Sequence, residues 1–196
     1  MIRTSGETYY NPDEAAKLLR AANPDLAHAE SNALAWRYGF EYLERAIRKQ
    51  LDFAFETTLG GSSIADRLAM AAQSGIHVRI WYVGLASPAL HIARVKARVS
   101  KGGHDIPEAK IRERYDASSQ NLVRLLPYLA ELKVFDNSAD NDPGTGLAPC
   151  PRLLLHIVGT KVEFCCDSNS TPEWAAQIIS SALGRAQQAS AKFGVF

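Results

Sequence analysis

At 196 residues, with 46% hydrophobic and 22% charged side chains, the chain has the length and composition of one globular domain with a sizeable core, which excludes disorder over its whole length. Its formal net charge of +1 excludes a broad electrostatic footprint for nucleic acid or an anionic membrane, so any phosphate chemistry has to be local.

The chain opens on a strand that ends at Tyr10. Asn11 can then cap a helix, Pro12 suits its first position and Glu14 sits three residues after the cap, which predicts a helix to about Ala21. Asn23-Pro24 repeats the start signal, and Leu26, Ala29, Ala33, Trp36, Phe40, Leu43 and Ile47 recur in steps of three and four, predicting a long helix to about Gln50 with that face in the core. Phe53-Ala54-Phe55 is a short apolar run of the kind buried on both faces of a parallel sheet, and it stops abruptly at Glu56-Thr57-Thr58-Leu59-Gly60-Gly61. Ile64, Leu68 and Ala71 mark a helix that Gly75 ends, before the strand Val78–Val83. Ser87-Pro88 starts a helix carrying Arg94 and Arg98, Gly102-Gly103 breaks it, and Pro107 restarts it with Ile111, Tyr115, Ser118, Leu122 and Leu125 at helical spacing. After the strand Leu132–Phe135, residues 139–150 are rich in Asp, Asn, Gly and Pro and read as a flexible loop. Leu153–Val158 and Val162–Cys165 flank Gly159-Thr160, a hairpin signal. Thr171-Pro172 then caps a last helix, with Trp174, Ile178, Ile179 and Ala182 facing inward, before a polar tail. The alternation of strand and helix predicts an α/β fold, a three-layer parallel sheet with right-handed crossovers, helices on both faces and a C-terminal hairpin and helix, all within a single domain spanning 1–196.

Ligands of open α/β sheets collect where the strands end, so chemistry is expected at Glu56, Thr57 and Thr58. A polar strand terminus whose threonines cap the next turn would look the same. Asp13, in the first turn after a strand, would project from that carboxyl edge, although acidic residues are common in first turns because they favour the helix dipole. Arg94, Arg98, Arg112 and Arg114 flank the Gly102-Gly103-His104 break and could form a mobile lid over phosphates; from position alone, solvated surface arginines are the better account. Asp136-Asn137-Ser138 ends a strand on the ligand edge, where a turn starter is as good an account. His28, His77, His91 and His156 are scattered and support no catalytic pairing, and there is no G-x-S-x-G. Cys150, Cys165 and Cys166 lack C-x-x-C spacing, which argues for a reducing cytoplasm and against a disulfide framework or metal site. No stretch approaches the ~20 apolar residues that span a bilayer, and Met1–Gly6 holds no apolar h-region, so a soluble cytoplasmic protein is expected.

Taken in order, Tyr9-Tyr10-Asn11-Pro12-Asp13-Glu14, Phe53–Gly61, Val83–Pro88, Gly102–Pro107 and Phe135–Ser138 resemble the zeta-toxin-like family of P-loop kinases from about Tyr9 to Trp174. The resemblance implies ATP and Mg2+ as cofactors and a small-molecule hydroxyl acceptor, for which family toxins offer a nucleotide sugar as precedent. It also implies Asp13 as the base for the acceptor hydroxyl, with Glu56, Thr57 and Thr58 on the substrate. Arg98, Arg112 and Arg114 would be lid cations, and Asp136 with Asn137 would approach the nucleotide. An antitoxin partner is implied as well.

One departure is large. The phosphate grip of such enzymes is G-x-x-x-x-G-K-[ST], and this chain contains no Gly-Lys pair. Asn11 leaves only ten residues before it, too few for a strand, the loop and a full helix. A chain without that first, central strand is expected to catalyse weakly, and its bared sheet edge invites another strand, an antitoxin or a second copy. Three explanations stand: Met1 is internal to a longer product, the protein is a non-catalytic binding or regulatory module on a degenerate scaffold, or a partner supplies the strand.

Overall fold

The computed structural model describes residues 8–101, 103, 105–139 and 150–192, and these divide into two compact units that meet in sequence between Thr58 and Leu59. The first contains β1 (Thr8–Tyr10), α1 (Pro12–Ala22), α2 (His28–Lys49) and β2 (Phe53–Phe55). The second contains α3 (Ser62–Gln73), β3 (Arg79–Gly84), α4 (Pro88–Val99), α5 (Glu108–Leu125), β4 (Glu131–Asp136), β5 (Arg152–Val158), β6 (Lys161–Cys165) and α6 (Glu173–Lys192). Among the described residues no helix is long and apolar enough to cross a membrane.

In the first unit β1 and β2 run parallel, Tyr9 opposite Ala54 and Tyr10 opposite Phe55. The Asn11 side chain accepts from the amides of Asp13 and Glu14, satisfying two of the donors that a helix start leaves free. α2 ends at Gln50, whose φ of 51° turns the chain out of the helix. The buried face of the helix keeps Leu43 of the predicted one and is otherwise rotated away from it. Ser31, Ala35, Leu43 and Ala46 are buried, whereas Trp36 is 50% exposed and stacks on Phe40 on the outer side. Close approach decides this: the Tyr10 hydroxyl donates to the Ala35 carbonyl, and a Cβ at Gly39 would lie 2.6 Å from the Tyr10 ring. Arg20 donates to the buried Ser31 hydroxyl at 2.8 Å and thereby joins α1 to α2. Small residues admit a ring and a helix where Trp36 and Phe40 could not. The predicted burial of Phe53–Phe55 on both faces is also corrected, because a sheet of two strands leaves all three residues half-buried.

The second unit holds a four-stranded sheet in the order β3-β4-β5-β6. β3 and β4 are parallel, β4 and β5 antiparallel, and β5 and β6 form the predicted hairpin around Gly159, whose φ is 59°. The single parallel sheet expected from the alternation is therefore replaced by a parallel pair and a separate mixed sheet. The departure lies in the strand that pairs with β4: β5 runs antiparallel to it and continues into the hairpin. Residues 140–149 of the predicted loop lie outside the described residues. One sheet face, with Leu132, Val134, Leu155 and Ile157, is buried in a core that also holds Leu122 and Leu125 of α5 and Ala175, Ile178, Ile179 and Ala182 of α6. Each such large side chain contributes ~1.5–3 kcal/mol. On the opposite side Trp81, Val83 and Phe164 remain exposed, with the Lys133 ammonium over the Trp81 ring at 5.1 Å.

Candidate functional site

At the exit of the parallel pair, the Glu56 amide donates to the Tyr10 carbonyl at 3.0 Å, extending the ladder by one residue and carrying the Glu56 side chain past the last strand position. The Tyr9 phenol donates to Glu56 Oε1, and Asn11 Nδ2 donates to Oε2 at 2.9 Å. Asn11 Oδ1 meanwhile accepts from Asp13 N at 2.9 Å and Glu14 N at 3.2 Å. One amide thus caps α1 and holds Glu56. Asp13, Glu56, Thr57 and Thr58 are all exposed. The Tyr9 phenol is pushed above its ordinary value, by burial first and then by its bond to the Glu56 carboxylate and that group's charge.

In the second unit, the exits of β3 and β4 lie side by side, with the Asn137 amide donating to the Gly84 carbonyl at 2.9 Å. The Asp136 carboxylate is already occupied. Its Oδ1 accepts from the Ser138 hydroxyl, from Ser138 N at 3.2 Å and from Trp174 Nε1 at 3.3 Å, and Arg152 Nη2 lies 3.6 Å from Oδ2. Gly84 is buried against the Trp174 ring, leaving no room for a Cβ. Arg94, one of the four lid candidates, instead grips the turn after β4, donating to the carbonyls of Asn137 at 2.7 Å and Ala139 at 3.1 Å.

Arg98 and Arg112 are exposed and Arg114 is half-buried. Gly103 closes the end of α4 through a bond from its amide to the Arg98 carbonyl at 2.9 Å, and a Cβ there would lie 2.5 Å from Arg98 Cγ, so the break requires glycine; Gly102 and His104 lie outside the described residues. α4 and α5 are tied by Lys96 and Glu108 at 2.7 Å, and the Lys96 bond and charge, with Arg112, hold the Glu108 carboxyl below its usual range. The His91 imidazole is lowered as well, by burial first and then by the charges of Arg98 and Arg94.

Arg114 packs on the turn after Thr58, where a Cβ at Gly60 would lie 2.6 Å from its Cγ. That turn holds the buried Leu59 at φ 51°, a conformation costly for a side chain with a Cβ. Asn121 stabilises it, donating to the carbonyls of Leu59 at 2.8 Å and Gly61 at 3.2 Å. Spacing shows Asn121 as a polar residue next to the apolar stripe of α5, but its partners lie about sixty residues away and leave no local signal. Tyr9 with Glu56, 47 residues apart, and Trp174 with Asp136, 38 apart, likewise leave no local signal.

The structure thus assembles Asn11 and Glu56, with Asp13 on the capped turn, inside the first unit. It places Asp136, Asn137, Arg94, Arg98, Arg112 and Arg114 inside the second. Among the described residues no group of three or more His, Cys, Asp or Glu side chains is arranged to hold a metal ion. Without a Gly-Lys pair the chain supplies neither the phosphate-binding lysine nor the following hydroxyl that would hold Mg2+, so these residues do not fit a complete nucleotide grip.

No solved structure matches the chain. A protein of Haemophilus influenzae named only as uncharacterized is 35% identical over 103 residues, which cover 53% of this chain and 71% of that protein. The Zeta toxin family model matches residues 11–141, a span that runs from the α1 cap through β2 and the arginine-bearing helices to the turn after β4. On that match the chain belongs to the zeta toxin family of P-loop kinases.

Proposed function

We propose that the protein is a phosphotransferase chain that carries the acceptor side of a kinase site, moving the γ-phosphate of ATP to a hydroxyl of a small molecule such as a nucleotide sugar. Asp13 is the base for the acceptor hydroxyl, and Glu56, Thr57 and Thr58 are the substrate contacts. Arg98, Arg112 and Arg114 are the lid cations. Asp136 and Asn137 shape the nucleotide-facing turn, with Asp136 acting through the turn that it builds, since its carboxylate is already bonded. The observation that carries the assignment is the Asn11 amide, which holds Glu56 and starts the helix that bears Asp13.

A second function, a non-catalytic binding or regulatory module, is favoured by the absence of a Gly-Lys pair, because backbone donors of the P-loop type are worth about 3 kcal/mol each to a transition state. An antitoxin or a second copy is the natural partner, and β3 and β6 are the outer strands of the four-stranded sheet in its hydrogen-bonded order.

Incubation with [γ-32P]ATP, Mg2+ and either UDP-glucose or UDP-N-acetylglucosamine separates the two. Slow transfer to a sugar that drops ~10²–10⁴-fold in Asp13→Asn, the range expected for loss of a general base, supports the kinase. Unchanged transfer in Asp13→Asn removes Asp13 as base. Sugar binding by calorimetry with no transfer supports the module.

A further inference from the structure

We propose that Asn11, together with Tyr9, is a positioning residue for Glu56, fixing the carboxylate in one orientation and coupling it to the start of the helix that carries Asp13. Its functional meaning rests on the acceptor-side assignment above; its geometry rests on the first unit alone.

Capping does not require asparagine. Serine, threonine, aspartate and glycine also start helices, because the cap needs only an acceptor or a permissive backbone. What asparagine adds is a pair of N–H donors that remain after its oxygen is used. Here Oδ1 is used twice, by Asp13 N and Glu14 N, and Nδ2 reaches Glu56 Oε2 at 2.9 Å. Serine or threonine would have to cap and donate from one and the same oxygen, with no second atom directed away from the helix start toward Glu56. Tyr9 holds the other Glu56 oxygen.

With one neutral donor on each oxygen, the carboxylate is held at two points. Each oxygen keeps acceptor capacity for a substrate N–H or O–H. An exposed glutamate at a strand end would otherwise sample many rotamers, and the two tethers remove that freedom before a ligand arrives. Because Asn11 also caps α1, a shift of Glu56 is a shift relative to the turn that bears Asp13.

The test uses Asn11→Ser and Asn11→Thr, both of which retain a capping oxygen, with Tyr9→Phe to assign the Tyr9 signal among seven tyrosines. Tyrosine labelled with 13C at Cζ reports the Tyr9 titration by NMR, and calorimetry with UDP-glucose and UDP-N-acetylglucosamine reports ligand binding. The groups that act on Tyr9 are Glu56, Asn11 and Glu14. The Asn11 contact taken by itself lowers the phenol, whereas the Glu56 contact raises it. If Asn11 acts by holding Glu56, either variant lets the carboxylate swing away and Tyr9 titrates at lower pH; sugar binding weakens about tenfold, the equivalent of one hydrogen bond. A Tyr9 titration that rises or stays in place in both variants overturns the proposal, because only the direct contact would then have been lost. Failure of both sugars to bind the wild-type chain refutes the nucleotide-sugar assignment, while the Tyr9 titration still decides the positioning role.

Discussion

Replacing Asn121 by alanine probes whether the turn after Thr58 is held from α5. The Asn121 side chain is buried at 6% exposure, and its bond to the Leu59 carbonyl, at 2.8 Å, lies in a buried setting. Taking that bond from a buried carbonyl costs about 2 kcal/mol, within the range for a buried polar group that loses a hydrogen bond. The second bond, to Gly61 at 3.2 Å, is longer and part-buried and adds about 0.5–1 kcal/mol. Leu59 can relax from φ 51° once released, but only by withdrawing a side chain that is 4% exposed, so the relief of ~1–2 kcal/mol is offset by lost burial of similar size. Asn121→Ala is therefore expected to lower the unfolding free energy by about 2–3 kcal/mol in a urea titration. Limited proteolysis near Gly60-Gly61 should accelerate in parallel. Asn121→Asp should be at least as damaging, since it turns oxygens toward two carbonyls while keeping the shape. A loss within about 0.5 kcal/mol for alanine, the scatter of surface substitutions, would refute the claim that these bonds hold the turn.

Gly84→Ala should cost about 1–3 kcal/mol by overpacking, because the added Cβ meets the rigid indole of Trp174, and near-UV circular dichroism should show the tryptophan disturbed; an unchanged spectrum and stability would contradict the packing. Glu131 titrates below its ordinary value even though burial raises it, because bonds from His156 at 2.9 Å and Lys133, with their charges, outweigh burial. A depressed folded-state value means stabilisation that is present above the ordinary value of 4.5 and is lost as pH falls through the lower folded-state value. Glu131→Gln should therefore lower stability at pH 7 and flatten the acid limb below about pH 4.5, as read by urea midpoints across pH.

Local chemistry made much of this chain legible. Asn11-Pro12 begins α1 and Ser87-Pro88 begins α4 because caps and proline act within a few residues. Gly159 turns the hairpin for the same reason. Periodicity located α5 and α6, and the strand exits at Glu56 and Asp136 followed from apolar runs ending in carboxylates. The order of those exits also carried the family.

Tertiary structure decided the rest, because partners distant in the chain choose among locally equal alternatives. α2 has two faces able to be buried, and the Tyr10 ring lying over Gly39 selected Ala35 in place of Trp36 while Leu43 stayed inside. Strand direction after β4 is set by the antiparallel pairing of β5 with it, which no strand signal encodes. Arg94 and Arg98 look alike as lid cations one turn apart, yet only the positions of the Asn137 and Ala139 carbonyls make Arg94 a clamp on the turn after β4. Asn11 could be read locally as a cap; that the same amide also holds Glu56 required the forty-five-residue return of the chain to place β2 beside β1.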